Sequence, residues 1–209
     1  MVKSLLLLSS AIVLTAACGG SGSSASAGSG GGGGAGGSAS SLEVFPSTTL
    51  HTGVDEAGGY TVNIAVVSGS GLAWTSSDPA TATVTGDDKV ATITALKAGS
   101  ATITATAGSS KVDVPVEIST YTVAQKMAGA MEYKSTCAGC HDGSGGPDIT
   151  PSDLGKHTDA EATGAFAEGK NPEGGTIDSP NHIFTVTDKV GMVAYLRSLP
   201  PRQPPVADQ

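Results

Sequence analysis

The spacing of hydrophobic positions changes near residue 120. Before that point apolar and polar residues alternate, most clearly in residues 62–66, 101–105 and 112–118. A period of two, rich in Val, Ile and Thr, indicates half-buried β-strands. Clusters of Gly, Ser, Asp and Pro separate these segments, as turns require. Residues 42–119 are therefore predicted to form a β-sandwich of short strands.

Three side chains give this sandwich further expected features. Trp74 is the only tryptophan and is expected to be the large filler of the core. Pro115 has no N–H for a ladder bond, so its strand is expected at a sheet edge or at a bulge. His51 is the only histidine of the segment and is expected at the surface.

After Tyr121 the apolar residues recur at helical spacing. Val123, Met127 and Met131 follow one another at intervals of four and predict a first helix, with the two methionines in its core face. Thr158 with Glu161 three residues later predicts a capped middle helix. A last helix is predicted to start at residues 187–188 and to stop at the prolines of residues 200–201.

The first 41 residues are predicted to be a signal peptide followed by a flexible linker. Residues 1–17 carry an apolar stretch of signal-peptide length, shorter than the roughly 20 residues of a membrane-spanning helix. Residues 19–41 contain only Gly, Ser and Ala, so they are predicted to be a disordered linker. The end of the signal, residues 14–18, resembles the lipobox of bacterial lipoproteins. This resemblance implies a lipid on Cys18, while an ordinary cleaved signal peptide with an incidental cysteine is the alternative.

Composition narrows the function classes. The 209 residues include 11 basic and 19 acidic side chains, a net charge of −8, which argues against a nucleic-acid partner. Only 4% of the residues are aromatic, too few for one large core. We therefore expect two small unlike domains, residues 42–119 and 121–201, followed by a C-terminal tail, residues 202–209.

Three residues after the first helix carry the strongest chemical signal. Cys137, Cys140 and His141 form the pattern Cys-x-x-Cys-His, the signature of c-type haem attachment. Two thiols on one helical turn can add to the two vinyl groups of a haem, and the adjacent imidazole can bind the iron. A thioredoxin-like redox pair would need a βαβ context, and a zinc site would need a second cysteine pair.

Two family resemblances extend these interpretations. Residues 74–79, 82–84 and 95–103 resemble a bacterial Ig-like domain of group 2. Residues 129–137 and 190–201 resemble the first and last helices of small class I cytochromes c. The implied fold is an all-β Ig-like sandwich followed by a small all-α cytochrome c domain, in which Gly129 and Tyr195 would meet where the two helices cross.

The cytochrome resemblance also implies ligands. The carbonyl of Pro147 would accept the Nδ1–H of His141, the proximal axial ligand. The usual distal methionine has no counterpart in the loop before the last helix, and His182 stands there instead. His182 is therefore the leading distal candidate, Met192 is the second, and an iron with an open or water-bound position is the third.

The predicted function is electron transfer by a membrane-anchored cytochrome with one covalent haem c, which is not an enzyme. Its partners would be redox proteins and, through lipid on Cys18, the outer membrane of a bacterial cell envelope. Two alternatives remain open from the sequence. One is a haem enzyme or gas sensor with an open iron site, and the other is a surface adhesion or scaffold lipoprotein.

Overall fold

The alternating segment folds into two packed β-sheets. The computed structural model describes residues 41–142, 149–171, 175–177 and 187–202. Residues 41–142 contain nine strands: β1 (Glu43–Phe45), β2 (Leu50–Asp55), β3 (Gly58–Gly59), β4 (Thr61–Ser68), β5 (Ala73–Ser76), β6 (Ala82–Gly86), β7 (Val90–Ala95), β8 (Gly99–Ala107) and β9 (Ser110–Thr120).

One sheet has the order β1-β4-β7-β6 and the other the order β3-β2-β9-β8-β5. Neighbouring strands are antiparallel except for β2 and β9, which are parallel from the pair Leu50–Val116 to the pair Val54–Thr120. The predicted sandwich is confirmed.

Alternation along the strands builds the core of the sandwich. In β9, Val114, Val116 and Ile118 are buried, and the residues between them are exposed. Burying one face of each strand removes apolar surface from water, which is the main stabilising contribution to such a core. Ile64, Ile93 and Ile103 are fully buried at its centre.

Two expected features of the sandwich are corrected. Trp74 is only partly buried, because β5 is an edge strand, and its Nε1–H donates to the carbonyl of Asp87 at 3.1 Å. Small aliphatic side chains fill the core instead. The strand that contains Pro115 is central, between β2 and β8, but pairing with β2 begins only at Val116. Pro115 therefore lies just outside the ladder between β2 and β9.

The second part of the chain is helical. Its helices within the described residues are α1 (Val123–Thr136), α2 (Ala138–His141), α3 (Pro151–Leu154), α4 (Asp159–Glu168) and α5 (Lys189–Ser198). Thr158 and Glu161 form the predicted capping box of α4, and Asp188 caps α5 by accepting the N–H of Gly191 at 2.8 Å. The three helices predicted from the sequence are confirmed. We call the described part of residues 121–202 the helical region.

The first and last long helices pack through glycine. A Cβ built on Gly129 would lie 1.9 Å from the carbonyl oxygen of Gly191, so the two backbones are in direct contact. Tyr195 was expected at this position, but its ring instead contacts Tyr133, with 5.1 Å between the ring centroids. The predicted contact between the helices is confirmed, with a different partner for Gly129.

The methionines of α1 lie on its outer side. Met127 is 61% exposed and Met131 is 71% exposed, so their expected place in the core was wrong. The face of α1 that packs on α5 is instead formed by Gly129 and Tyr133. In the described part of the chain, no helix is long and apolar enough to cross a membrane.

Candidate functional site

The cysteine and histidine motif directly follows α1. Cys137 ends α1 and begins α2, with helical backbone angles. Its N–H donates to the carbonyl of Tyr133 at 2.8 Å, and its own carbonyl accepts the N–H groups of Cys140 at 3.1 Å and His141 at 3.0 Å. The motif is thus one helical turn, which fixes the spacing of the two thiols and the imidazole.

The two thiols have different surroundings. Cys137 is buried in the core of the helical region, whereas Cys140 is exposed and His141 is half-buried. Burial raises the pKa of the Cys137 thiol, because the thiolate would lose its hydration. Of the two sulfurs, that of Cys137 is therefore the one held against the core, and that of Cys140 faces solvent.

A tyrosine holds the residue that follows the motif. The hydroxyl of Tyr133 donates to Oδ1 of Asp142 at 2.7 Å. Burial, reinforced by Asp142, raises the pKa of Tyr133, so this hydroxyl remains a donor over the physiological range. The bond ties the end of α2 to the last turn of α1, and so restrains the turn that carries His141.

A cavity of about 300 Å³ lies beside this turn. It is lined by Tyr133, His141, Asp142, Ile149, Thr150 and residues 199–202. Binding sites for cofactors are concave, largely apolar and equipped with a few polar groups. Of the motif, His141 lines this cavity, and Cys137 and Cys140 lie on the same helical turn. The two thiols and the imidazole are a donor set that could hold a haem. Within the described residues no cluster of three His, Cys, Asp or Glu side chains could hold a bare metal ion.

Of the remaining predicted site residues, one lies in the core of the helical region and three lie outside the described residues. Met192 is fully buried in α5, in the same core as Tyr133 and Cys137. Cys18, Pro147 and His182 lie outside the described residues. The structure therefore brings Cys137, Cys140 and His141 together on one turn, and puts Met192 in the neighbouring core.

Sequence reasoning missed Arg197. This guanidinium is 1% exposed, and it lies among the buried residues of α5. The signal was a charge next to Leu196 in the second half of a helix whose residues 190–196 carry no charge. His51 was expected at the surface, but its side chain is only 15% exposed and faces Glu117 at 3.4 Å. Burial, and after it the charge of Arg197, lowers the pKa of His51.

Comparison with protein families assigns the sandwich. Residues 43–118 match the model of the bacterial Ig-like domain (group 2). These residues are a bacterial Ig-like domain. The match ends before α1, so it leaves the helical region outside, and none of the curated proteins matches the chain.

Solved structures similar to the chain cover the same part. Domains 4 and 5 of the S-layer protein SbsC are 23% identical over 38% of this chain and 51% of theirs, with a TM-score of 0.30. Titin domain M7 is 14% identical over 39% of this chain and 95% of its own, also with a TM-score of 0.30. The chain spans about half the length of the S-layer structure. The assignment of the Ig-like domain depends on the family match.

Proposed function

We propose that this protein transfers single electrons through a haem c bound covalently to Cys137 and Cys140, with His141 as an axial ligand. The observation that carries the proposal is the helical turn of Cys-x-x-Cys-His beside a partly apolar cavity. When bound, the haem supplies reversible one-electron chemistry at its iron. The protein supplies the attachment points, the orientation and the environment.

The side chains around the turn have separate roles in this proposal. The sulfur of the buried Cys137 and the sulfur of the exposed Cys140 would hold the haem. Tyr133 and Asp142 restrain the turn, so the imidazole of His141 keeps its direction. Ile149 and Leu199 supply apolar side chains to the lining of the adjacent cavity. Lower solvent access shifts the reduction potential of a bound haem.

The second axial ligand of the haem iron is proposed to be His182. Met192 is the alternative ligand, and an open position at the iron is the third possibility. A carbonyl at Pro147 would accept the Nδ1–H of His141 and raise the basicity of that ligand. Replacing a thioether by an imidazole lowers the reduction potential of a haem. Ligation can therefore be read from the potential and from the near-infrared band that a thioether–iron bond produces.

The protein is further proposed to be held at the outer membrane by lipid on Cys18. Residues 19–41 would then form a linker with a root-mean-square span of roughly 27 Å. Such a tether raises the effective concentration of a redox partner held at the same surface. Residues 121–209 contain 7 basic and 11 acidic side chains, which favours a neutral or basic partner surface.

Intact mass tests the attachment directly. Wild-type chain should be produced in a host that matures c-type cytochromes, beside a Cys137→Ala/Cys140→Ala variant and a Met131→Leu control. We expect the mass of one haem on the wild type and on the control, and none on the double variant. A wild-type mass equal to that of the bare chain, or pigment removed by acidified acetone, contradicts the proposal.

Variants at the two candidate residues test the ligation. His182→Ala should change the optical spectrum and the reduction potential of the haem protein, and Met192→Leu should leave both unchanged. A thioether–iron band in the wild type that disappears in Met192→Leu would instead assign the second ligand to Met192.

As a second candidate we propose a scaffold role at the cell surface, carried by the Ig-like domain of residues 43–118. The haem-free double variant separates the two functions. If electron transfer is the function, this variant no longer accepts electrons from a membrane donor. If the Ig-like domain carries the function, surface localisation and partner capture persist without haem.

A further inference from the structure

One buried guanidinium joins the Ig-like domain to three helices. Nε of Arg197 donates to Oδ1 of Asp159 at 2.8 Å, and Nη2 donates to the carbonyl of His157 at 2.7 Å. Nη1 donates to the carbonyl of His51 in β2 at 2.7 Å and approaches the carbonyl of Leu154 at 3.4 Å. Arg197 therefore links α5 to the end of α3, the start of α4 and the sandwich.

The geometry of the guanidinium suits this position. Arginine presents its donors in a rigid planar fork, which can reach several acceptors at once, whereas lysine is a point charge. A buried charge is tolerated when it is paired and its donors are satisfied. At Arg197 a carboxylate supplies the countercharge, and carbonyls from both sides of the boundary supply the other acceptors.

The end of α3 lies directly on the sandwich. The N–H of His51 donates to the carbonyl of Gly155 at 2.7 Å. A Cβ built on Gly155 would lie 2.9 Å from Cγ2 of Val62 and 2.6 Å from the carbonyl oxygen of Pro151. There is no room for a side chain, so the helix end packs against β2 and β4 with backbone contact. His51 is thus bonded to α3 by its N–H and to Arg197 by its carbonyl.

The same elements form the wall of the cavity beside His141. Thr150 directly precedes α3, and it lines the cavity together with Ile149. Residues 199–202, which follow α5 directly, line it from another side. Arg197 holds the end of α3 and is itself part of α5. A displacement of either element would move residues that line the cavity.

We propose that Arg197 is a positioning residue through which the Ig-like domain fixes the wall of the cavity beside His141. The role assigned to that cavity rests on the proposed function, whereas the link between the sandwich and the helices does not. The Ig-like domain is then the frame of the electron carrier.

Hydrogen exchange tests the link without any haem signal. Arg197→Met removes all the donors and keeps the volume of the side chain, and Arg197→Lys keeps the charge without the fork. Lys111→Met, in an exposed ion pair on β9, is the control. We expect the amide of His51 to exchange about tenfold faster or more in Arg197→Met. Arg197→Lys should be intermediate. The amide of Ala105, in the sandwich core, should not change in any of these variants.

A pair of glycine variants tests the same link from the other side. Gly155→Ala should push α3 from the sandwich and expose the His51 amide in the same way. Gly164→Ala is the matched control, because its Cβ would meet only the Cβ of Lys170, at 4.0 Å. If Arg197→Met does not fold, Gly155→Ala decides. Unchanged exchange at His51 in Gly155→Ala or in a folded Arg197→Met overturns the link.

The haem protein then tests the positioning role. In Arg197→Met and Gly155→Ala we expect the reduction potential and the ligand-field spectrum to shift, and in the two controls to stay at the wild-type values. Faster exchange at His51 with an unchanged potential overturns the positioning role. A wild type without haem refutes the proposed function instead, and the exchange measurements still decide whether the Ig-like domain holds α3.

Discussion

The two hydrophobic cores of this protein differ in composition. The buried residues in the core of the sandwich, from Leu42 to Ile118, are aliphatic, and Trp74 packs against them partly buried. The core of the helical region contains Tyr121, Tyr133, Phe166 and Met192 together with smaller apolar residues. Aliphatic strands that alternate inward and outward close a sandwich without polar help. The helical core depends on larger, partly polar side chains whose hydroxyl groups need partners.

Those partners are carboxylates in each of three cases. Tyr60, which the sandwich contributes to this core, donates to Asp55 at 2.9 Å, and Tyr121 donates to Asp159 at 2.7 Å. Tyr133 donates to Asp142, which follows the proposed axial histidine. Buried hydrogen bonds of this kind add little net stability, but they specify one arrangement because the alternatives leave a polar group unpaired. The aliphatic core of the sandwich therefore closes without such bonds, whereas the helical core is positioned by specific contacts, one of them made by Tyr60 of the sandwich.

The largest expected effect comes from the sandwich core. Ile93→Ala removes a fully buried side chain and should lower the free energy of unfolding by about 3 kcal/mol. Because α3 and α5 contact the sandwich, the lower stability should appear in two signals during urea unfolding. These are the fluorescence of Trp74 and the helical circular dichroism. A helical signal unaffected by Ile93→Ala would show that the helices do not depend on the sandwich.

The second largest effect is expected from Gly129→Ala, in the helical region. Its Cβ would meet the backbone of Gly191, so α1 and α5 must separate, at a cost of about 2 kcal/mol. We expect the helical signal to unfold at lower urea concentration while the Trp74 transition stays in place. Gly164→Ala is the control. An equal shift of both transitions would show that the sandwich depends on the helices as well.

Loss of the capping box of α4 should lower the free energy of unfolding by a smaller amount, which depends on pH. Thr158→Ala removes the acceptor of the Glu161 N–H and should cost about 1 kcal/mol. Hydrogen bonds from Thr158 lower the pKa of Glu161 from its ordinary value of 4.5. The contribution of this carboxylate is therefore complete above pH 4.5 and is lost as the pH falls through the lowered value. Glu161→Gln should differ from the wild type at pH 7, and the difference should shrink below pH 4.5.

The smallest loss of stability is expected from removing the hydrogen bond between Tyr133 and Asp142, which restrains the turn of Cys137, Cys140 and His141. Tyr133→Phe removes the bond to Asp142 and keeps the ring against Tyr195, so stability should fall by about 0.5–1 kcal/mol. Amide exchange at His141 should rise, because the turn loses its tie to α1. Lys111→Met provides the baseline for a surface change. Unchanged exchange at His141 would show that backbone bonds alone hold the turn.

Local patterns predicted much of this fold. The alternation of Val114, Val116 and Ile118 marks a strand whatever lies around it, and the pair Thr158 and Glu161 caps a helix through its own atoms. Cys137, Cys140 and His141 were likewise found from spacing alone, and the structure places them on one turn. In each case the signal and the structure lie within a few residues of each other.

The features that the sequence did not reveal depend on distant partners. Arg197 is buried because acceptors from β2, α3 and α4 converge on it, and these are 38 to 146 residues away along the chain. Met127 and Met131 have helical spacing, but Gly129 and Tyr133 form the face that packs on α5. Spacing cannot distinguish two apolar faces of one helix, since the choice is made by the helix that packs against it.

The parallel pair of β2 and β9 has a mechanical consequence. Pairing begins at Leu50, on the side that leads back to the N-terminus, and ends at Thr120, on the side that leads into α1. A pull on the chain between its two ends therefore acts on these strands in opposite directions along their length. The ladder would be sheared rather than unzipped, and its bonds would share the load and fail together. A chain held at one end by an anchor would resist stretching up to that point of rupture.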